Sequence, residues 1–87
     1  MHKEKQLSQH INDVYNRYAD ELMSKAYVVG VGIGIAHKDG ESTGEPAIVV
    51  LVEKKVPQEG LDPEDRIPSV IEGILVDVQE VGTIRAQ

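Results

Sequence analysis

Glycine spacing is the most unusual chemical feature of this sequence. Gly30, Gly32 and Gly34 alternate with aliphatic residues. A phosphate-binding loop needs glycines in a turn that follows a strand and leads into the N-terminus of a helix. Here the spacing is GxGxG, and a polar stretch follows instead of a helical pattern. The residues therefore disfavour nucleotide binding and favour close packing against one bare face of a strand.

A bare strand face must be covered, because glycines weaken a strand that nothing packs against. We expect the domain's own helix to cover Gly30, Gly32 and Gly34. A peptide, a partner subunit or a small ligand on the same face are the alternatives.

Residues that could perform catalysis or bind a metal lack the required spacing. The chain has no cysteine, which excludes thiolate nucleophiles, thiolate metal sites and disulfides. No serine lies in a G-x-S-x-G elbow. His10 and Asp13 are three residues apart, but no second pair at ligand spacing accompanies them. The acidic residues from Glu59 to Asp65 do not follow the EF-hand pattern. We predict no catalytic residue, no metal ligand and no cofactor.

The charge of the chain narrows the classes of partner. There are 15 acidic and 9 basic residues, and the formal net charge is −6. Such a charge argues against nucleic acid and anionic membranes as partners. No apolar run approaches the roughly 20 residues of a membrane span, and Met1 to Lys5 do not resemble a signal peptide. We expect a cytoplasmic protein with a protein partner.

Acidic residues are concentrated in the second half of the chain. Between Asp39 and Glu80 there are 11 acidic residues and three basic ones, which are Lys54, Lys55 and Arg66. The first 38 residues carry four acidic and five basic residues. We interpret this uneven distribution of charge as a contribution to solubility. In the alternative interpretation, it serves a head-to-tail contact between copies or a contact with a partner.

A single long helix is predicted for residues 3–26. Apolar residues recur every three or four positions along one stripe, formed by Leu7, Ile11, Val14, Tyr18 and Leu22. This helix would span about 35 Å, whereas strands of five to eight residues span about 17–27 Å. We therefore expect Leu7 and Ile11 to overhang the sheet and to pack against a second copy in a weak homodimer. In the alternative, Leu7 folds back onto its own sheet.

Three later segments have the character of strands. Residues 27–37 alternate with a period of two, as do residues 74–81. Residues 47–53 are apolar on both faces, which predicts a central strand. The polar stretch at 37–46 predicts a long loop that joins the first two strands in a hairpin.

Shorter elements are predicted near the last strand. Val70 and Ile71 read as a short strand, and Glu72-Gly73 as a turn. Asp62 resembles an N-cap followed by a proline at N1, which predicts a short helical turn.

These elements predict one α+β domain over residues 1–87. One long N-terminal helix (3–26) packs on a small three- to four-stranded, mainly antiparallel sheet (27–81), and residues 82–87 form a tail or linker.

Several strings in the sequence carry a resemblance to a known family. They are VVGVGIG at 28–34, TGEPAIVVLVEKKVP at 43–57, PEDRIP at 63–68 and IEGILVDV at 71–78. Together they resemble a segment that precedes a trypsin-like serine peptidase domain in certain bacterial proteins, and distantly resemble plant narrow-leaf-type proteins. The resemblance spans about residues 28–82 and includes no catalytic position of the peptidase. It implies an accessory domain, either part of a longer chain or a stand-alone relative.

The sequence therefore predicts a non-enzymatic accessory or interaction domain, associated with an adjacent trypsin-like peptidase domain or another protein partner. One alternative is a propeptide-like folding helper or inhibitor of a peptidase, which would offer a sheet edge or a tail to the active-site cleft. Another alternative is a domain that binds a small ligand on the glycine-lined strand face.

Overall fold

The computed structural model describes the backbone of residues 3–82 and the side chains of residues 9–82. One helix precedes a four-stranded sheet, and the elements are α1 (Lys3–Met23), β1 (Val28–Lys38), β2 (Glu41–Val52), β3 (Val70–Ile71) and β4 (Ile74–Glu80). The strand order is β1-β2-β4-β3. β1–β2 and β3–β4 are antiparallel, and β2–β4 is parallel. The predicted α+β fold with a mainly antiparallel sheet is confirmed.

Helix α1 ends three residues earlier than the sequence pattern predicts. The backbone N–H of Ser24 still bonds to the carbonyl of Asp20, 3.1 Å away, whereas that of Lys25 bonds at 3.2 Å to the carbonyl of Leu22, only three residues back. The helical bonds therefore change to a tighter turn, which is followed by Tyr27 with φ 70° in the left-handed region. From Ile11 to Leu22 the predicted apolar stripe faces the sheet, and Val14 and Leu22 are buried in the core.

Strand β2 is the central strand, as its apolar sequence predicts. It lies between β1 and β4. Ile48, Val50 and Val52 are buried beneath α1, and Ala47 is buried on the opposite face. Successive side chains of a strand point to opposite faces of the sheet, so the burial of both Ala47 and Ile48 requires that both faces are covered.

The predicted long loop between the first two strands is wrong. Both strands continue through the polar stretch to a two-residue turn at Asp39-Gly40. The φ angles of these residues are 54° and 83°, as a type I′ hairpin turn requires. The residues from Glu41 to Pro46 are exposed, so their part of the strand lacks the apolar alternation that would identify it.

Residues 53–69 connect the parallel strands β2 and β4. They contain two short 3₁₀ turns, Gln58–Gly60 and Pro63–Asp65, of which the second confirms the predicted helical turn. Asp62 precedes the second turn but makes no side-chain capping bond. Asp65 instead accepts the backbone N–H of Ala26 at 3.0 Å, which holds this connection against the end of α1.

The turn between β3 and β4 is also as predicted. Glu72 and Gly73 have φ angles of 49° and 83° and join Val70–Ile71 to β4. The carboxylate of Glu72 accepts hydrogen bonds from Arg17 and from the Tyr18 hydroxyl, the latter at 2.9 Å. These bonds hold the turn against the middle of α1. In the described part of the chain, no helix is long and apolar enough to cross a membrane.

Candidate functional site

The three glycines of β1 lie on the face of the sheet opposite α1. They pair in register with residues 51, 49 and 47 of β2. Val31, between two of them, points the other way and packs against the core beneath α1. Its carbonyl oxygen accepts a hydrogen bond from the Tyr15 hydroxyl at 3.3 Å. Since side chains alternate along a strand, the expectation that α1 covers the glycines is wrong.

Aliphatic side chains of β2 lie beside two of the glycines. A Cβ added at Gly34 would lie 3.0 Å from Val49 Cγ2, and one at Gly30 would lie 3.3 Å from Leu51 Cδ1. A Cβ added at Gly32 would meet no atom of the described residues within 4 Å. Side chains of β2 therefore fill part of the space beside Gly30 and Gly34, which is not the cover by α1 that the sequence predicts. Binding of a small ligand on this face stays a prediction.

The outer end of the β1–β2 hairpin bends back over the same face. The backbone N–H of His37 donates to Asp77 Oδ2 at 3.1 Å. Asp77 of β4 pairs with Val49 of β2, and Val49 pairs with Gly32 of β1. Asp77 is therefore level with Gly32, which is five residues before His37 on β1. A straight strand would span about 16 Å over that distance, so the contact requires a bend.

The bend coincides with an irregularity in strand pairing. The register shifts between Ile35 and His37. On β2, Gly44 has φ 80°, and the Thr43 hydroxyl bonds to the carbonyl of Ala36 at 3.1 Å. Extra residues on one strand of a pair bend it and increase its twist.

Asp77 and His37 form the polar cluster of this face. Asp77 Oδ2 also accepts a hydrogen bond from Gln79 Nε2 at 2.9 Å, and His37 Nδ1 lies 3.7 Å from the same oxygen. Among the described side chains, no hydroxyl is hydrogen-bonded to His37. Ser42 lies across from His37 on β2, but its hydroxyl accepts the backbone N–H of Gly44 at 3.3 Å, so the His–Asp pair lacks the hydrogen-bonded nucleophile of a triad. Its chemistry is that of a clamp on the hairpin.

The predicted dimer residues have different positions in the fold. Ile11 is 4% exposed and belongs to the chain's own core, so it is not available to a second copy. The side chain of Leu7 lies outside the described residues. The homodimer stays a prediction that rests on Leu7, and sedimentation velocity of Leu7→Ser tests it.

Strand β1 exposes an apolar surface that the sequence pattern did not indicate. Val29, Ile33 and Ile35 are 40%, 43% and 42% exposed. Ile33 pairs with the buried Ile48 and therefore lies on the helix side, but α1 leaves it uncovered. Sequence alternation identifies which face a residue is on, whereas the extent of helix cover depends on tertiary packing.

A groove of about 370 Å³ lies on the helix side of the sheet, beside the connection at 53–69. Val76 and Val78 of β4 line it, together with residues of the connection and of the segment after α1. No sequence signal marks this groove, because it forms only where the connection arches across β4. Among the described residues, no group of three or more His, Cys, Asp or Glu side chains could hold a metal ion.

A protein-family match covers nearly all of the elements described above. The NARROW LEAF 1 N-terminal domain family matches residues 10–85. The chain belongs to this family. No curated protein matches the chain.

The NARROW LEAF 1 N-terminal domain match includes all four strands, most of α1 and every residue of the groove. It confirms the resemblance to narrow-leaf-type proteins that the strings at 28–34 and 43–57 carry. The edge of β1 and the Asp77 cluster both lie within the matched range.

Proposed function

We propose that this NARROW LEAF 1 N-terminal domain is a non-enzymatic accessory domain that binds a protein partner along β1, and that the partner is a trypsin-like peptidase domain. The observation that carries the proposal is the apolar surface of β1. Its exposed residues Val29, Ile33 and Ile35 follow one another along an edge strand. Exposed apolar patches on small domains mark interaction sites.

The position of β1 supports strand addition as the binding mode. Among residues 3–82, β1 pairs only with β2, so one side of its backbone has no described strand beside it. It has 11 residues, whereas β3 at the other edge has two. A long apolar edge strand is prone to aggregation unless something covers it. A partner that adds a strand would satisfy the backbone groups and bury the aliphatic side chains together.

The identity of the partner is supported by the family and by the sequence resemblance. The family is described as an N-terminal domain, and the strings at 43–57 and 71–78 resemble a segment that precedes a trypsin-like peptidase in bacterial proteins. The non-enzymatic part of the proposal is supported by the Asp77–His37 pair, to which no hydroxyl is hydrogen-bonded among the described side chains. Ser42, which lies across from His37 on β2, instead accepts the backbone N–H of Gly44.

Binding to a peptidase domain tests the proposal. The chain is mixed with the trypsin-like peptidase domain of a narrow-leaf-type protein, and affinity is measured by calorimetry. We expect Ile33→Lys/Ile35→Lys to weaken binding at least about tenfold, because buried central contacts dominate interface energetics. Val70→Lys is the matched control, since Val70 is 50% exposed on the other edge strand. Equal affinities of the double variant and the native chain would exclude β1 as the interface.

The same edge strand also favours the second candidate, an inhibitor or folding helper of the peptidase. Inhibitors of this kind insert an extended strand into the active-site cleft. Turnover by the peptidase domain separates the two candidates. An accessory domain leaves turnover of a small substrate unchanged at saturation, whereas an inhibitor abolishes it.

A further inference from the structure

The groove on the helix side of the sheet is an apolar recess between β4 and the connection at 53–69. Val76 and Val78 face it from β4, and Leu61 and Ile67 face it from the connection at 53–69. Both valines lie on the core-facing side of the sheet, yet they are only partly buried. The connection arches over them without filling the space, which leaves an apolar recess.

Internal bonds hold the connection in its arched shape. The carboxamide of Gln58 accepts the backbone N–H of Ile67 at 2.8 Å, and Arg66 Nε donates to the carbonyl of Leu61 at 3.2 Å. Lys25 donates to the carbonyl of Glu64, which joins the connection to the end of α1. A recess held open by its own scaffold binds a ligand with a smaller ordering cost.

Two lysines line the same groove. Lys54 and Lys55 are two of the three basic residues between Asp39 and Glu80. In the described part of the chain, neither ammonium has a carboxylate oxygen within 4.0 Å. The carboxylate of Glu80 instead accepts the backbone N–H of Lys55 at 3.0 Å. Lys54 Nζ lies 5.1 Å from the centroid of the Tyr27 ring.

An apolar recess beside two cations that have no carboxylate partner among the described residues favours an amphiphilic anion as the ligand. We propose that the groove binds a single-chain carboxylate of the fatty-acid type. The chain lies against Val76 and Val78, and the carboxylate lies between Lys54 and Lys55. A volume of about 370 Å³ is at the small end for ligand sites, which suits one unbranched chain rather than a two-chain lipid. The proposal is independent of the partner that β1 binds.

Titration with three ligands that share one chain length tests this proposal. Decanoate, decanol and decylamine are added below their micellar concentrations, and binding is followed by amide chemical shifts. We expect saturable shifts at the groove with decanoate, weaker shifts with decanol and none with decylamine. Lys54→Met/Lys55→Met keeps much of the apolar stem and removes both charges, and it should weaken decanoate binding about fivefold while leaving decanol unchanged. Lys38→Met, at the outer end of β1, is the matched control.

Filling the groove provides a second, independent variant. We expect Val56→Phe to abolish decanoate binding because the ring occupies the recess, whereas Val70→Phe outside the groove leaves it intact. Dispersed amide spectra confirm that each variant is folded. The proposal is overturned if decanoate does not saturate, if the double lysine variant binds it as the native chain does, or if acetyl-Leu-Leu with a free carboxylate binds more tightly than decanoate. The last outcome would assign the groove to the C-terminus of a peptide.

Discussion

The backbone N–H of His37 donates a hydrogen bond to the carboxylate of Asp77, although the two residues are five register positions apart across the sheet. This bond ties the outer end of the β1–β2 hairpin to β4. The bond lies on the face of the sheet that carries the glycines, whereas the exposed Ile33 of β1 lies on the helix side.

Removing the Asp77 carboxylate should release the hairpin end. Asp77→Ala deletes the acceptor for His37 and Gln79, and we expect it to lower the free energy of unfolding by about 1–2 kcal/mol. Asp77→Asn keeps an acceptor oxygen and should cost less. Hydrogen exchange measures the effect, which we expect to be largest at the amide of His37. Asp62→Ala, whose side chain makes no capping bond, is the control. Unchanged protection of His37 in Asp77→Ala would contradict the clamp.

A charge in the central strand should prevent folding. Val50 is fully buried on β2. An unpaired carboxylate at this position costs several kcal/mol, against a total stability of about 5–15 kcal/mol. We expect Val50→Asp to lose amide dispersion in its NMR spectrum. Val70→Asp places the same side chain on the exposed edge and should remain folded. Native dispersion in Val50→Asp would mean that β2 is not central.

Alanine substitutions should distinguish two glycines of the same strand. An added Cβ at Gly32 meets no atom of the described residues within 4 Å. Gly32→Ala should therefore stabilise the domain by about 0.5 kcal/mol, because alanine lowers the conformational entropy of the unfolded chain. Gly34→Ala should destabilise it by about 1 kcal/mol, because the Cβ would lie 3.0 Å from Val49 Cγ2. Urea denaturation measures both values. In a double-mutant cycle, Gly34→Ala should no longer destabilise the domain when Val49 is replaced by alanine, because the crowded methyl group is then absent. A zero coupling energy would show that Val49 is not the obstacle.

The Tyr18 hydroxyl provides a pH-dependent probe of the contact between α1 and the β3–β4 turn. Its hydrogen bond to Glu72 and the negative charge of that carboxylate raise the pKa of Tyr18 above the ordinary value for tyrosine. The folded state therefore favours the protonated phenol. The resulting stabilisation is fully present below the ordinary tyrosine pKa and is lost as the pH rises through the raised pKa.

Ultraviolet titration in a Tyr15→Phe/Tyr27→Phe background isolates Tyr18, since the chain has three tyrosines. We expect Glu72→Gln to lower the pKa of Tyr18 toward its ordinary value. Glu21→Gln should lower it less, because Glu21 contributes the smallest of the effects on this group. An identical titration curve for Glu72→Gln and the background protein would rule out the contact in solution.

Several elements follow from the sequence alone because local physics specifies them. The apolar stripe through Ile11, Val14 and Leu22 predicts α1 and the face that it buries. An apolar run on both faces predicts that β2 is central, and Glu72-Gly73 predicts the turn before β4. Each of these signals depends on residues that are near one another in the chain.

The prediction of a long loop at 37–46 is wrong because the local sequence there lacks a strand signal. The strands there are exposed, so their sequence carries no alternation. They are nevertheless maintained by cross-strand pairing, which ends in the Asp39-Gly40 turn. Asp-Gly is a strong hairpin signal only when apolar alternation flanks it.

The candidate sites were decided by tertiary structure. Sequence alternation places Gly34 and Val31 on opposite faces of β1, but it does not say which face α1 covers. That choice depends on long-range contacts such as the bonds of Tyr15 to Val31 and of Tyr18 to Glu72. The groove beside Lys54, the exposed edge at Ile33 and the Asp77 clamp likewise join segments far apart in the chain. Their geometry depends on how the connection and the hairpin end pack, which no local pattern specifies.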